Sequence, residues 1–324
     1  MQTSHQPSVL PKLPGRSALV TGGAGFIGSH LVRALLAKGL AVRVLDDLSS
    51  GHLANVPEGV EFVRGSVEDV EQVHRAMSGC EHVFHLAAMV SVPQSVSDPE
   101  GSFRINVIGT ENVIRAATKA GVQSMVYTSS AAVYGPRPSL PSRETDPILC
   151  VSPYAAGKAA GEMLLQSAVN SAGLHAVSLR LFNVFGIRQD PKSAYAAAIS
   201  AFVDAAVARR APLIFGTGRQ TRDFVPVANV VQAFLRAAAS DRSVSGRAFN
   251  VGLGIQSTLL DVVERVAEFS GFSAPSEIRP RRAGDVDDSV ADIAAIREAL
   301  AYEPTVTVAE GLRELVASSM SARS

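Results

Sequence analysis

Cysteine is scarce in this chain: Cys80 and Cys150 are the two among 324 residues. No disulfide framework is expected from so few, and a reducing cytoplasm is the compartment that fits. Net charge is absent as well, because 30 Lys and Arg balance 30 Asp and Glu. That balance argues against a strong non-specific pull toward nucleic acid or anionic lipid, so neither a nucleic-acid nor a membrane partner is expected. Residues 1–13 are polar, carry prolines and lack the apolar centre of a signal peptide. The longest apolar-looking stretch, 194–208, contains Ser200 and Asp204. It is too short to span a bilayer and reads as an alanine-rich helix. There is no internal repeat or low-complexity linker. No cluster has metal-ligand spacing, so no metal is expected, and His82 and His85 read as satisfied histidines within a strand.

What remains is a globular composition, 47% hydrophobic and 19% charged, long enough for one large α/β domain or two smaller ones. Short β-branched runs at 17–21, 41–45, 60–64, 82–86, 124–128 and 176–181 predict strands. Segments 27–38, 70–77 and 103–120 have apolar residues spaced by three and four and predict helices between them. This alternation predicts an α/β fold with a parallel sheet covered on both faces and right-handed crossovers. Beyond residue 184 the regularity weakens. Helices are expected at 195–209, 230–239, 258–269, 293–301 and 308–317, with a strand at 247–251 that can return to the first sheet. Residues 1–14 and 318–324 are expected to be mobile ends.

The first strand runs directly into Gly22-Gly23-Ala24-Gly25-Phe26-Ile27-Gly28, a G-x-x-G-x-x-G spacing that opens a helix. Glycines there allow positive φ and a close approach of backbone to a diphosphate, and the helix start offers free N–H groups. A glycine triplet by itself can equally be a tight turn; the strand before it and the helix after it favour a dinucleotide site. The second strand ends in Asp46-Asp47, with Asp46 placed 18 residues after Gly28. Its alternatives are a solvated loop carboxylate or a partner for the adenosine ribose hydroxyls. In the second role it would repel a 2′-phosphate, so NAD is expected rather than NADP.

A second group of residues suits redox chemistry at an alcohol. Ser129 and Ser130 follow the 124–128 strand. Tyr154 and Lys158 stand four apart after Pro153, on one face of a helix. Oxidising a hydroxyl needs a base for its proton and an acceptor for its hydride. A tyrosine with a pKa of about 10 must fall by about 3 to serve, worth about 4 kcal/mol of preferential phenolate stabilisation. Lys158 and a positive nicotinamide ring can supply it, and Ser130 can hydrogen-bond the reacting hydroxyl.

With these motifs the chain resembles the extended short-chain dehydrogenase/reductases, and among them the UDP-sugar 4-epimerases. The likeness covers nearly everything from Gly15 to Leu315. It runs through His85-Leu86-Ala87-Ala88, Arg180-Leu181-Phe182-Asn183, Thr221-Arg222-Asp223-Phe224, Phe249-Asn250-Val251-Gly252 and Arg281-Arg282-Ala283-Gly284-Asp285. The resemblance implies a Rossmann-type doubly wound sheet with a smaller C-terminal α/β substrate-binding region. The NAD-binding domain would comprise 15–184 plus 221–254, and the UDP-sugar region 185–220 plus 255–324.

It also implies a redox cycle without net oxidation. Tyr154 takes the proton of the sugar C4 hydroxyl while hydride passes to tightly bound NAD. The 4-keto sugar turns over, and hydride returns to its other face. NAD would be held by Gly22, Gly25, Phe26, Ile27, Gly28, Asp46, Asp47, Ser50, Gly51, Ser66, Val67, Leu86, Ala87, Ala88, Asn106, Thr128, Tyr154, Lys158 and Phe182. The UDP-sugar would meet Ser91, Ser130, Tyr154, Asn183, Gln189, Tyr195, Leu213, Phe215, Arg222, Arg282, Asp285 and Ser289, with the two arginines on the diphosphate.

Related dehydratases and decarboxylases carry an acid just after the catalytic Ser or Thr, where this chain has Ala131 and Ala132. Segment 186–197 and Ser91-Val92-Pro93 are similar to epimerases that prefer N-acetylated UDP-hexoses. Ser289 holds a position that a bulky tyrosine closes to the N-acetyl group in that family. The expected substrates are therefore UDP-GlcNAc and UDP-GalNAc, with UDP-Glc and UDP-Gal also admitted. UDP-glucuronic acid epimerisation and a dehydrogenase or reductase that releases its product are the alternative activities, and a non-enzymatic NAD-binding scaffold is disfavoured. Ser66 stands where relatives usually carry an aspartate near the adenine amine, and Val90 where a smaller residue is usual. A homodimer is implied, built on a four-helix contact of 103–120 and 154–166.

Overall fold

The computed structural model describes residues 11–136, 139–190, 198–281 and 287–323. The first six strands are β1 (Ser17–Thr21), β2 (Ala41–Asp46), β3 (Glu61–Arg64), β4 (His82–His85), β5 (Ser124–Ser130) and β6 (Ala176–Leu181). With Ala248–Val251 they form one sheet of seven strands, ordered Ala248–Val251, β6, β5, β4, β1, β2, β3. Every pairing within it is parallel. The strand that leaves for the C-terminal half and comes back is therefore the sheet's outermost member beside β6, as its composition suggested. Strand order reverses between β1 and β4, and such a switch point leaves a crevice at the carboxyl ends of the strands.

Period-two alternation explains the layers. Ala18, Val20, Phe84 and Val126 face one side, where they meet Leu31 and Leu35 of α1 (Phe26–Ala37) and Phe234 of the helix Val227–Ala238. Leu19, Val83 and Met125 face the other, against Val73 and Met77 of α2 (Val70–Met77), Val113 and Leu165. A third apolar cluster lies toward the C-terminus and joins Phe185, Phe202, Ile214, Phe224, Val262 and Leu312. It is served by two short parallel pairs, Asn183–Phe185 with Phe224–Pro226 and Leu213–Phe215 with Glu277–Arg279. Among the described residues no helix is long and apolar enough to cross a membrane.

Three expectations need correction. The helix expected at 103–120 starts earlier, at Pro99, after Asp98 accepts a hydrogen bond from the Gly101 amide, and it contains a π turn at Arg104–Gly109. Apolar spacing does not reveal such a turn, because one widened turn leaves the faces on either side helical. The N-terminal residues 11–14 are not loose. Leu13 is buried, the Pro11 carbonyl accepts from Lys38, and the Pro14 carbonyl meets the His82 ring. The chain end is likewise docked: the last helix runs Val308–Ser321 behind a Thr307/Glu310 capping box, and Arg323 pairs with Asp204.

Candidate active site

The turn after β1 is shaped by what glycine omits. Gly22 has φ +71°, and a Cβ there would lie 2.7 Å from the Ala87 amide nitrogen. A Cβ on Gly28 would lie 2.2 Å from the Gly22 carbonyl oxygen, so α1 can start this close to β1 only with glycine at 28. Gly25 is the N-cap of α1 and makes no side-chain cap. The first-turn N–H groups of α1 therefore remain for an anion, at the positive end of the helix dipole.

Asp46 is buried at the end of β2. One carboxylate oxygen accepts from the Ala24 amide and the other from the Leu48 amide, each at 2.9 Å. Burial raises its pKa, and these two N–H bonds oppose the rise. Each oxygen keeps a second lone pair, which suits vicinal ribose hydroxyls. Asp46 thus also clips the glycine turn to β2, a role its position alone did not suggest. Asp47 is exposed and accepts from the Ser49 amide, and the chain returns over the turn through the His52 amide on the Ala24 carbonyl. Asp47 lies at a shallow, open depression that Arg64, Ser66, Glu68 and Gln72 also line. There the Ser66 amide donates to the Gln72 side-chain oxygen Oε1, and its hydroxyl donates to Glu68.

On the other side of β1, a polar chain crosses the sheet. The Leu86 and Ala87 amides donate to Thr21 Oγ1, which lies 2.7 Å from His85 Nδ1; His85 Nε2 lies 3.0 Å from Thr110 Oγ1. Thr110 donates onward to the Asn106 carbonyl. Since Thr21 already accepts two N–H groups, its own proton goes to Nδ1 and His85 is the neutral Nε2–H tautomer. Burial, with Lys158 adding, lowers the His85 pKa to about 3. Asn106, in the π turn, grips both the amide and the carbonyl of Met89. It therefore holds the loop that carries Ala88 and Ser91.

The three residues expected to be catalytic come together from two elements. Tyr154 and Lys158 lie on the helix Pro153–Ala172, whose N-cap is Ser152, and Ser130 is the last residue of β5. Lys158 is buried and donates to the Thr128 carbonyl at 2.8 Å, with Nζ 5.9 Å from the centre of the Tyr154 ring. Burial lowers the Lys158 pKa to about 7, and Glu162 one turn further on opposes the fall. Burial raises the Tyr154 pKa, and its hydrogen bond with Ser130 works the other way. Protein burial thus pulls against the base, and phenolate formation depends on positive charge brought beside it. Thr128 Oγ1 is buried with no partner among the described residues. An unpaired hydroxyl here, a glycine cradle and an uncapped helix start together fit a dinucleotide lying across the switch point.

The residues expected to meet the UDP-sugar are more dispersed. Arg222 is half-buried and donates to the carbonyls of Thr221 and Asp287. Ser289, half-buried, donates its amide to the Thr221 carbonyl, so the strap 287–292 lies beside Arg222. Asn183 is exposed next to the same strand, through its amide on the Asp223 carbonyl. Leu213 is exposed and Phe215 half-buried on one short strand. The Gln189 side chain braces its own loop, donating to the Val184 carbonyl and accepting from Ser200. Ser91 caps the short helix Val92–Ser97. Phe182 is buried beside Tyr134. Tyr195, Arg282 and Asp285 lie outside the described residues.

Sequence reasoning missed several residues that hold this site. Ser95 accepts the Tyr154 amide at 3.1 Å. Glu162 makes a two-pronged buried ion pair with Arg180, at 2.9 and 2.7 Å. Asp223 is fully buried and accepts from the amides of Leu253, Gly254 and Ala291. The spacing of Tyr154, Lys158 and Glu162 by four was a usable signal for Glu162; nothing local marks Ser95.

Known proteins were compared with this arrangement. The model of the "NAD dependent epimerase/dehydratase family" matches residues 18–252. A UDP-glucose 4-epimerase of Mycolicibacterium smegmatis is 42% identical over 305 residues, 92% of this chain and 96% of that protein. The solved UDP-N-acetylglucosamine 4-epimerase of Methanobrevibacter ruminantium, in complex with UDP-N-acetylmuramic acid, superposes with a TM-score of 0.90 at 35% identity, covering 95% of this chain and 99% of that one. The UDP-glucose 4-epimerase of Thermotoga maritima with UDP-glucose gives a TM-score of 0.91 at 35% identity, covering 95% and 100%. The chain belongs to the NAD dependent epimerase/dehydratase family, and is an extended short-chain dehydrogenase/reductase of the UDP-sugar 4-epimerase type with NAD as its cofactor.

Proposed function

We propose that this enzyme interconverts UDP-GlcNAc and UDP-GalNAc at C4, and accepts UDP-Glc and UDP-Gal as well. The observation that carries the substrate assignment is Ser289: a small side chain, half-buried in a strap tied to Thr221 beside Arg222. A residue of this size leaves room for an N-acetyl group. The Thermotoga relative is bound to a plain hexose and the Methanobrevibacter relative is named for an N-acetylated one, so likeness alone does not choose between them.

NAD, held by the 22–28 turn and Asp46, would supply a reversible hydride acceptor. The protein's own part is proton handling and orientation. Tyr154 takes the C4 hydroxyl proton and later gives one back, while Ser130 hydrogen-bonds the same oxygen. Lys158 is held beside the phenol by the Thr128 carbonyl, and Glu162 opposes the loss of its charge that burial favours. The absence of an acid at Ala131 and Ala132 leaves no group to drive elimination after oxidation, which favours epimerisation over dehydration. Arg222 and Arg282 bind the diphosphate, Asp285 the uridine ribose, and the 213–215 strand lines the nucleotide path.

We propose that two copies pair through the helices within 103–120 and 154–166. Phe103, Ile108 and Met163 are exposed there on elements that otherwise pack on one another. Light scattering giving a monomer would remove that assembly without touching the chemistry. The test of the function is a panel of UDP-Glc, UDP-Gal, UDP-GlcNAc, UDP-GalNAc and UDP-glucuronic acid, incubated without added cofactor and resolved by chromatography. Turnover of the N-acetylated pair is expected. Strict UDP-Glc/UDP-Gal conversion, turnover of the acidic sugar alone, or accumulation of NADH would refute the assignment.

A further inference from the structure

Beneath the active site runs a buried polar network that the redox chemistry does not use. It starts at Ser129, whose hydroxyl donates to Glu162, and continues through the Glu162–Arg180 ion pair. Arg180 Nη1 donates to the Tyr134 hydroxyl at 2.9 Å, and that hydroxyl donates to Asn250 Oδ1 at 2.6 Å. Asn250 Nδ2 then donates to the Ser142 carbonyl at 2.9 Å and the Asp292 carbonyl at 3.2 Å. Arg180, Tyr134 and Asn250 are 5%, 2% and 0% exposed, so no bond in this run is maintained by bulk water.

The two ends of the network differ in kind. One end is the strand that presents Ser130. The other is the strap 287–292, which carries Ser289 and is stitched to Ser142 by two backbone bonds, from the Ser142 amide to the Val290 carbonyl and from the Asp292 amide to the Ser142 carbonyl. The polarity of the joint is set by the donor inventory. Arginine can only donate, so the Tyr134 hydroxyl must accept from it and spend its single proton on Asn250. That in turn fixes the Asn250 amide with its nitrogen toward the strap. Burial keeps the phenol neutral and able to donate, with its pKa pushed up to about 12.

We propose that Tyr134 and Asn250 are positioning residues for the sugar, tying the strap that carries Ser289 to the same buried arginine that holds the catalytic strand. This inference rests on the UDP-hexose reading given above. It assigns the pair an effect on substrate affinity rather than on the chemical step. Removing the Tyr134 hydroxyl leaves the Glu162–Arg180 pair and the Ser129 contact in place, so Ser130 keeps its support. The strap loses the donor that orients its amide pin.

The test is Tyr134→Phe, which retains the ring and its packing, assayed with the NAD-loaded enzyme on the best UDP-sugar of the panel. The expected result is a KM raised roughly 3- to 10-fold, the range of one lost buried hydrogen bond, with kcat within about twofold and NAD still bound. Asn250→Ala should raise KM at least as much, because it also removes both bonds to the strap, and the double variant should add little to it, since the Tyr134 hydroxyl acts through Asn250. An unchanged KM in Tyr134→Phe, a fall in kcat at constant KM, or additive effects in the double variant would each overturn the proposal. If Asn250→Ala fails to fold, Tyr134→Phe decides alone, with its fold checked by thermal unfolding. Loss of this effect in an enzyme that still epimerises UDP-sugars sinks only the positioning role; a wild type inert on every UDP-sugar sinks both readings.

Discussion

The residues expected to hold NAD, here the cofactor half, and those expected to meet the UDP-sugar, the sugar half, are held in place by different rules. In the cofactor half, four groups sit at the ends of sheet strands: the 22–28 turn after β1, Asp46 at the end of β2, Leu86 to Ala88 after β4 and Ser130 at the end of β5; Asn106, Tyr154 and Lys158 come from the helices packed beside them. Parallel packing alone brings those ends to one edge. In the sugar half, Asn183, Leu213, Arg222 and Ser289 come from short strands and a strap. These are held by bonds between distant residues, such as Thr221 with Asp288 and Asp223 with Ala291. The first kind of site is specified by local motifs on a rigid frame. The second depends on buried pins such as Asp223, which accepts from the Leu253, Gly254 and Ala291 amides. A binding region assembled this way can be retuned by single side chains without disturbing the chemistry.

Experiments can press on that contrast. The largest effect is expected in the shared centre. Tyr154→Phe should lower kcat roughly 10³-fold while NAD remains bound, measured by sugar turnover and by cofactor content after denaturation. Survival of activity would show that another group is the base. Next comes the sugar half: Ser289→Tyr should cut kcat/KM for the N-acetylated sugars about 100-fold and leave the plain hexoses within a few-fold. Equal loss on both classes would mean that position 289 acts on the frame rather than the pocket.

The smallest effect belongs to the cofactor half and is one of stability. His85 is neutral in the fold, with its pKa lowered from 6.5 to about 3. Above pH 6.5 it is neutral in folded and unfolded chains alike, and its contribution is fully present. As pH falls below 6.5 the unfolded chain gains a proton that the fold refuses. Stability should then decline by up to about 1.4 kcal/mol per pH unit from this site. His30, lowered to about 4 by burial, adds in the same direction. Urea unfolding at pH 7 and pH 5.5 measures the slope, and His85→Gln should flatten it. An unchanged slope in that variant would assign the acid sensitivity elsewhere.

Legibility followed the same division. The strands of the sheet, α2 and the Tyr154/Lys158 helix could be read from spacing because side-chain period follows backbone period. The π turn at Arg104–Gly109, the docking of Leu13 and the continuation of the last helix to Ser321 could not. Each depends on a partner distant in sequence: Met89 for Asn106, His82 for Pro14, Asp204 for Arg323. Gln189 and Ser91 were readable as members of a motif, yet their visible bonds brace a loop and cap a helix.

The sequence by itself determined the chemistry. A glycine turn after a strand, an acid at the end of the next strand and Tyr154 four residues before Lys158 are short-range patterns, and short-range patterns state which groups are present and which face they share. The tertiary structure decided how those groups are poised. Burial moves Lys158 to about 7 and raises Tyr154, and the same burial forces Arg180, Tyr134 and Asn250 into one satisfied network. Desolvation and hydrogen-bond satisfaction depend on every neighbour at once, and those neighbours are gathered only when the chain is folded.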